Sequence, residues 1–261
     1  MSRRQIIFKY SLDGYLYIFD SFDGIIDYHN VCYIECFNCG LRVLSNLPNS
    51  LTEFNCSYNE LTVLPKLPNT LQILNCSFNQ LISLPKLPDS LKELFCHDNV
   101  QLNELPELPN SLKILDCESN ELTVLPKLPN SLQELNCIWN YLNVYLTVLS
   151  ELPNSLKEFY CWGNQLTKLP KLPNSLQIIS CGGNKLTILP KLPKSLQKLN
   201  CNNNKLTSLP KLPKSLEIFN CFDNQLRVLP ELPDSLKELE CYNNKFIKKI
   251  KHKYFVKIIY M

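Results

Sequence analysis

Residues 71–90 read LQILNCSFNQLISLPKLPDS, and the frame behind them, L-x-x-L-x-C-x-x-N-x-L-T-x-L-P-x-L-P-x-S, recurs along most of the 261-residue chain. Cysteines mark the beat: Cys36, Cys56, Cys76, Cys96, Cys117, Cys137, Cys161, Cys181, Cys201, Cys221 and Cys241 follow at 20 residues, a spacing broken only twice. Units begin at Val31, Leu51, Leu71, Leu91, Leu112, Leu132, Leu156, Leu176, Leu196, Leu216 and Leu236. Self-similarity at a short fixed period marks a solenoid, in which each unit touches only its neighbours.

Each position in the frame has a physical task. In Leu74-Asn75-Cys76 successive side chains point to opposite faces, so Leu74 and Cys76 go inward and Asn75 outward. The inward set of a unit is two leucines, the cysteine and three further leucines such as Leu81, Leu84 and Leu87. A single unit buries too little to offset the entropy of ordering its backbone, so stability requires a run of stacked units. Asn59, Asn79, Asn99, Asn120, Asn140, Asn164, Asn184, Asn204, Asn224 and Asn244 form a second column, expected to serve backbone groups freed where each strand turns away. The first unit has Cys39 there, a weaker partner.

All 18 prolines lie in the repeats, mostly as the pair seen in Pro65-Lys66-Leu67-Pro68. Prolines three apart fix φ and remove donors, which excludes a regular helix and predicts an extended or polyproline-II convex wall. The residues after the second proline, as in Asp89-Ser90, carry turn chemistry and re-enter the next strand.

On this frame the chain resembles the leucine-rich repeat proteins over residues 31–244. The period of 20 with paired prolines is most similar to the short repeats of bacterial type III secreted effectors, and to leucine-rich repeat proteins of giant DNA viruses. The resemblance implies a horseshoe solenoid: a parallel β-sheet on the concave face, an extended convex side and little helix. It also implies a non-enzymatic protein-binding module, with a host protein as partner if the likeness reflects origin. Some bacterial relatives join such repeats to a ubiquitin-ligase domain with a catalytic cysteine. Here the tail after Cys241 has no cysteine, so the carry-over stops at binding.

Three segments follow: an N-terminal β-meander cap at 1–30, eleven repeats at 31–244, and a basic amphipathic C-terminal cap at 245–261. In the first, strands are expected at Gln5–Tyr10, Tyr15–Phe19 and Ile25–Tyr28, separated by Asp13-Gly14 and Asp23-Gly24. The effectors cap that end with helices, so the resemblance lapses there. The tail mixes Phe246, Ile250, Tyr254 and Phe255 with lysines and no acid, and reads as a lid over the last repeat.

Thirteen cysteines would suggest a disulfide framework in a small secreted protein. Eleven occupy core positions, where a free thiol packs as a small hydrophobe, and in-register strands aim their Cβ vectors alongside one another rather than together. With neither a leader-like apolar run nor a membrane-length segment, the expected compartment is reducing and cytoplasmic, the host cytoplasm for a viral protein.

Enzymatic chemistry has little raw material, and neither cofactor nor metal is expected. Cys32, Cys36 and Cys39 match C-x3-C-x2-C, the spacing of radical S-adenosylmethionine cluster ligands, and His29 could complete a zinc site. Yet Cys36 is already the first core cysteine and Cys39 opens the asparagine column. Ser77, His97 and Glu118 share one slot in three successive repeats, so a hydrolytic triad can be drawn, without any glycine-built oxyanion hole.

Binding is better supplied. Read along the outward strand positions, the sequence offers aromatics at Phe37, Tyr58, Phe78, Phe95, Trp139, Tyr160, Trp162, Phe222 and Tyr242. Both tryptophans fall in adjacent repeats beside Ile138 and Tyr160, next to the longest insertion, around Asn143–Tyr145. Interfaces concentrate their energy in such anchors, so this cluster is the expected partner site; the bland alternative is a ring ladder that stiffens the sheet. Charge is segregated as well: residues 1–158 hold 18 acids and 10 bases, and residues 159–216 nine lysines and no acid. Lys171, Lys191 and Lys211 repeat at one convex slot. Such polarity favours a bipolar partner, or head-to-tail self-association into a scaffold as the second reading, and disfavours nucleic acid, whose phosphates half the chain would repel.

Overall fold

The computed structural model describes residues 6–10, 16–19, 28–140, 146–246 and 257–259. One strand per repeat stacks into a single sheet, as the cysteine period predicts. Strands β3 (Val31–Glu35), β4 (Glu53–Asn55), β5 (Ile73–Asn75), β6 (Glu93–Phe95), β7 (Ile114–Asp116), β8 (Glu134–Asn136), β9 (Glu158–Tyr160), β10 (Ile178–Ser180), β11 (Lys198–Asn200), β12 (Ile218–Asn220) and β13 (Glu238–Glu240) run parallel and in register. All but the first are three residues long, and backbone bonds between repeats continue past them through the cysteine, as from Cys76 N to the Phe95 carbonyl and from Phe78 N to that of His97. The return path of each repeat carries neither helix nor strand, so the paired prolines leave an extended convex wall. Among the described residues the one helical turn is the 3-10 segment Tyr28–Asn30.

The two ends differ from the middle. Strand β1 (Ile6–Tyr10) pairs antiparallel with β2 (Leu16–Phe19) and, on its other edge, antiparallel with β3. Burial of Ile6 and Phe8 against the first repeat explains why β1 occupies that edge. The strand expected at Ile25–Tyr28 does not appear in the described part: Tyr28 opens the 3-10 turn, and residues 25–27 lie outside the described residues. At the other end β14 (Lys257–Ile259) adds parallel to β13, and most of the remaining tail lies outside the described residues.

The core is a continuous leucine and cysteine column. Leu71, Leu74, Cys76 and Leu81 of the third repeat are fully buried, and Leu84 and Leu87 nearly so, matching the six inward positions of the frame. All thirteen cysteines are free. Several periodic thiols donate to the strand carbonyl of the following repeat, Cys76 Sγ to the Phe95 carbonyl at 3.5 Å and Cys181 Sγ to that of Asn200 at 3.4 Å. Burial pushes the Cys76 and Cys181 thiols up to about 12. Such thiols behave as apolar filling rather than as nucleophiles.

The asparagine column binds each repeat to its predecessor. Asn184 Nδ2 donates to the carbonyls of Cys161, Cys181 and Gly182 at 2.9, 3.1 and 2.9 Å, and its Oδ1 accepts from the Leu166 amide at 3.0 Å. Buried backbone groups at the strand exit are thereby paired across the stack. Cys39, at the open end of the column, donates its amide to Asn59 Oδ1 at 3.0 Å. A third tie comes from the hydroxyl before strands β4–β13, serine in all but the second of them, where it is Thr70: Ser175 Oγ donates to the carbonyls of Asn154 and Leu156 at 2.7 and 2.6 Å.

Candidate partner-binding face

Four outward columns cross the stack: the first and third strand residues, the residue after the cysteine, and the one after that. In every repeat the last of these has left-handed backbone, from Asn38 at φ 52° to Asn243 at φ 49°. This conformation turns the chain off the sheet, and it costs a non-glycine residue about 1–2 kcal/mol, with Asn and Asp tolerating it best. Most repeats supply Asn, Asp, Ser or Gly. Three supply a large ring instead: Tyr58 (φ 58°), Phe78 (φ 51°) and Trp139 (φ 49°).

The nine aromatics therefore do not share one strand column, as the alternating reading assumed. Phe95 and Tyr160 are the third residues of β6 and β9; Phe37, Trp162, Phe222 and Tyr242 follow the cysteine, and Tyr58, Phe78 and Trp139 sit at the left-handed position. Seven thus form a ledge along the rim where the strands end. Alternation misses this because a strand of three residues stops before they are reached.

The structure gathers them into separate groups. Phe37, Tyr58, Phe78 and His97 make one run, with neighbouring ring centroids 4.9, 4.1 and 5.1 Å apart. Phe222 stacks on Tyr242 at 4.5 Å. Ring pairs contribute about 0.5–1.5 kcal/mol beyond burial, enough to offset much of the left-handed cost at Tyr58 and Phe78. Trp139 and Trp162 form the third group, edge to face at 5.6 Å, and Trp139 keeps 41% of its surface exposed. The insertion expected beside this pair, Asn143–Tyr145, lies outside the described residues.

Glycines make the floor under the two indoles. A Cβ on Gly163 would strike Trp139 Nε1 at 2.5 Å, and one on Gly182 would meet Trp162 Cδ1 at 2.6 Å. Across that gap Trp162 Nε1 donates to Asn202 Oδ1 at 3.3 Å. Gly163, Gly182, Gly183 and Asn202 were not picked out by the sequence reading. Their signal was available: of six glycines in the chain, three fall in two consecutive repeats, at slots filled by side chains elsewhere.

Below the ledge the strands carry acids. Glu134 and Glu158 are register partners on β8 and β9, and Asp116 ends β7 between Phe95 and Asn136. Tyr160 donates its hydroxyl to Glu158 Oε2 at 2.6 Å, and burial together with this bond pushes the phenol above its ordinary range. Glu134 is raised by burial first and then by Glu158, Asp116 and Glu93. The nine lysines of residues 159–216 do not answer these charges on the sheet: only Lys198 lies on a strand, while Lys171, Lys191 and Lys211 are exposed on the return path.

Neither drawn catalytic constellation assembles. Ser77 Oγ lies 3.0 Å from His97 Nδ1, and Asp116 Oδ2, rather than Glu118, is the carboxylate at hand, 3.2 Å from the same nitrogen. A relay needs hydroxyl and carboxylate on opposite ring nitrogens, so sharing Nδ1 makes an anchored histidine, not a base for the serine. Glu118 accepts from Asn136 Nδ2 at 2.8 Å. Burial lowers the His97 pKa, but the Asp116 bond and the charges of Asp116, Asp98 and Glu118 outweigh it, and the net direction is upward. The three N-terminal cysteines have separate partners: Cys36 is in the core, Cys39 joins the asparagine ladder, and Cys32 Sγ donates to the Lys9 carbonyl at 3.4 Å. Among the described residues no three His, Cys, Asp or Glu side chains are grouped as metal ligands, and no helix is long and apolar enough to cross a membrane.

No protein-family model matches the sequence, and no curated protein matches it either. Solved structures do match. YopM from Yersinia enterocolitica WA-314 superposes with a TM-score of 0.78 at 37% identity, over 83% of this chain and 47% of that one. YopM of Yersinia pestis, a leucine-rich effector protein, gives 0.75 at 42% identity, over 82% and 61%. This chain thus spans about half to three fifths of their lengths. InlJ from Listeria monocytogenes, whose functional domain includes a cysteine ladder, shares the fold at 23% identity with a TM-score of 0.53, covering 84% of this chain and 46% of its own. With one strand per 20-residue unit, an extended return path and this likeness to the two effectors, the chain is a leucine-rich repeat protein related to the bacterial leucine-rich effectors.

Proposed function

We propose that the chain is a non-enzymatic protein-binding module whose anchor is the ledge formed by Trp139 and Trp162, supported by Ile138 and Tyr160. One observation carries the reading: Trp139 holds an indole in left-handed backbone where the fold is content with Asn, Asp or Gly, and leaves 41% of it exposed. Strained positions persist where function requires them, and a Trp offered to solvent on a rigid floor has the character of an interface anchor. The other rim aromatics extend the ledge toward both ends, Phe78 and Tyr58 on one side and Phe222 and Tyr242 on the other, and Phe95 stands on the sheet below it. Residues 1–30 and 245–261 act as caps that keep the ends of the stack from pairing with other chains. The likeness to the Yersinia effectors supports a host protein as partner and the host cytoplasm as the place of action.

Affinity purification from the native cell with mass spectrometry names the partner, and its affinity for the purified variants tests the site. Trp139→Ala with Trp162→Ala should weaken binding by about thirtyfold or more with the unfolding transition unchanged, because both rings face away from the leucine core. Charge reversal at Lys191 and Lys211 should slow association and alter its salt dependence without abolishing the complex. Wild-type affinity in the tryptophan variant, with loss in the lysine variant, would move recognition to the convex side.

A further inference from the structure

The face of β6–β9 below the ledge has a composition that the fold does not require. Its first-residue column reads Glu93, Ile114, Glu134 and Glu158, and Asp116 ends β7. In other repeats Ile73, Ile178 and Ile218 fill the same column and pair equally well. Like charges facing one another across neighbouring strands are destabilising, and Glu134 and Glu158 face one another at the strand spacing of about 4.8 Å. The ion pairs among the described residues are Arg42–Glu60, His97–Asp116 and Lys237–Glu217. None of them answers Glu93, Glu134 or Glu158. Uncompensated repulsion on an otherwise solvated sheet points to cations brought from outside.

The neighbouring rings say which cations fit. Tyr160 is hydrogen-bonded to Glu158, and Trp162 follows it by two residues, so a group pairing with that carboxylate stands beside aromatic faces. Guanidinium and ammonium groups satisfy both at once, by charge and by attraction to the ring. Glu93 and Glu134 are two strands apart, about 10 Å, which is close to the span of about 9 Å between side chains three residues apart on one face of an extended polyproline-II segment.

We infer that the concave face of β6–β9 receives an extended basic segment of a protein partner, its Arg or Lys side chains pairing with Glu93, Glu134 and Glu158 while its flank rests on Trp139 and Trp162. The inference rests on the ledge being a partner site and adds the chemistry of the partner. An anionic membrane or a nucleic acid would be repelled by this face.

Fluorescence anisotropy of a labelled peptide with Arg at every third position among Pro and Gly, titrated with the full chain at low salt, tests it. Binding is expected, falling steeply as salt rises. Glu134→Gln with Glu158→Gln should weaken it at least tenfold. That variant removes repulsion, so it should fold at least as stably as the parent, as a urea transition checks. Glu60→Gln with Glu104→Gln, off this face, should leave binding unaltered. No binding to the parent, or equal loss in both glutamine variants, overturns the inference. So does salt-sensitive self-assembly of the free chain, seen by light scattering and dissolved by Glu134→Gln with Glu158→Gln, since the occupant is then a second copy. If the tryptophan variant loses the native partner while the peptide ignores the glutamates, the ledge stands and only the basic segment is wrong.

Discussion

Trp162 reaches Asn202 across an entire repeat, Nε1 to Oδ1 at 3.3 Å, because the intervening unit places Gly182 beneath the ring. A missing side chain in one repeat is thus what orients an indole from another. The aromatic ledge depends on what is left out of the eighth repeat as much as on what is put into the sixth and seventh.

Gly182→Ala follows as a sharp probe. The backbone there is not left-handed, but the added methyl meets Trp162 Cδ1 at 2.6 Å and also crowds Asn202 Oδ1. The indole should be displaced, changing tryptophan emission and weakening partner capture, while the unfolding midpoint shifts only slightly. An unchanged spectrum would mean the floor is not rigid.

Asn184→Ala strands the carbonyls of Cys161, Cys181 and Gly182 and the amide of Leu166 together. Its expected cost is about 1–3 kcal/mol in urea unfolding. Leu199→Ala, at a nearly fully buried position of β11, should cost about 2–5 kcal/mol. An unfolding midpoint that neither change moves would contradict the assigned register.

The periodic thiols should be slow to react in the native protein. Burial raises Cys56, Cys96, Cys117, Cys161 and Cys201 well above the ordinary thiol range. Cys241, near the end of the stack, is pushed only to about 11 and Cys32 is half-buried, so these two should label first. Mass spectrometry after a timed alkylation checks the order; early modification of the central thiols would contradict it.

Stability should rise on mild acidification. His97, surrounded by Ser77, Phe78, Asp98, Asp116 and Glu118, is raised above 6.5, so its stabilising share is complete below that value and is lost as pH climbs through the raised one. Asp98, raised chiefly by burial, and Glu134 act in the same direction at lower pH, because their protonated forms are favoured in the fold. Urea midpoints measured from pH 8 to pH 5 should therefore increase, and His97→Gln should flatten the part of the curve nearest neutrality. A midpoint that falls over this range would reverse the assignment.

The 20-residue beat determined the solenoid, the leucine and cysteine core and the asparagine ladder, the paired prolines the extended return path, and the resemblance of the frame to leucine-rich repeats implied the parallel sheet. Those features depend on which residues are apolar, amide or proline at fixed intervals, and stacking repeats the same environment in every unit. Tertiary structure decided what varies between units. Alternation could not show that strands stop after three residues, and so placed Trp139 and Phe78 on the sheet, whereas a left-handed turn sets them on its rim. Shared slots offered Glu118 to His97, whereas Asp116 from the strand is the carboxylate beside the imidazole, and Glu118 accepts from Asn136 Nδ2 instead. Segregated charge along the chain suggested an acidic half and a basic half, but the structure sets Glu93, Glu134 and Glu158 on the strands and all but Lys198 of the lysines of residues 159–216 off them. Side-chain partners across a stack are set by the direction and reach of each residue in space, and a linear pattern carries the spacing of those residues without their direction.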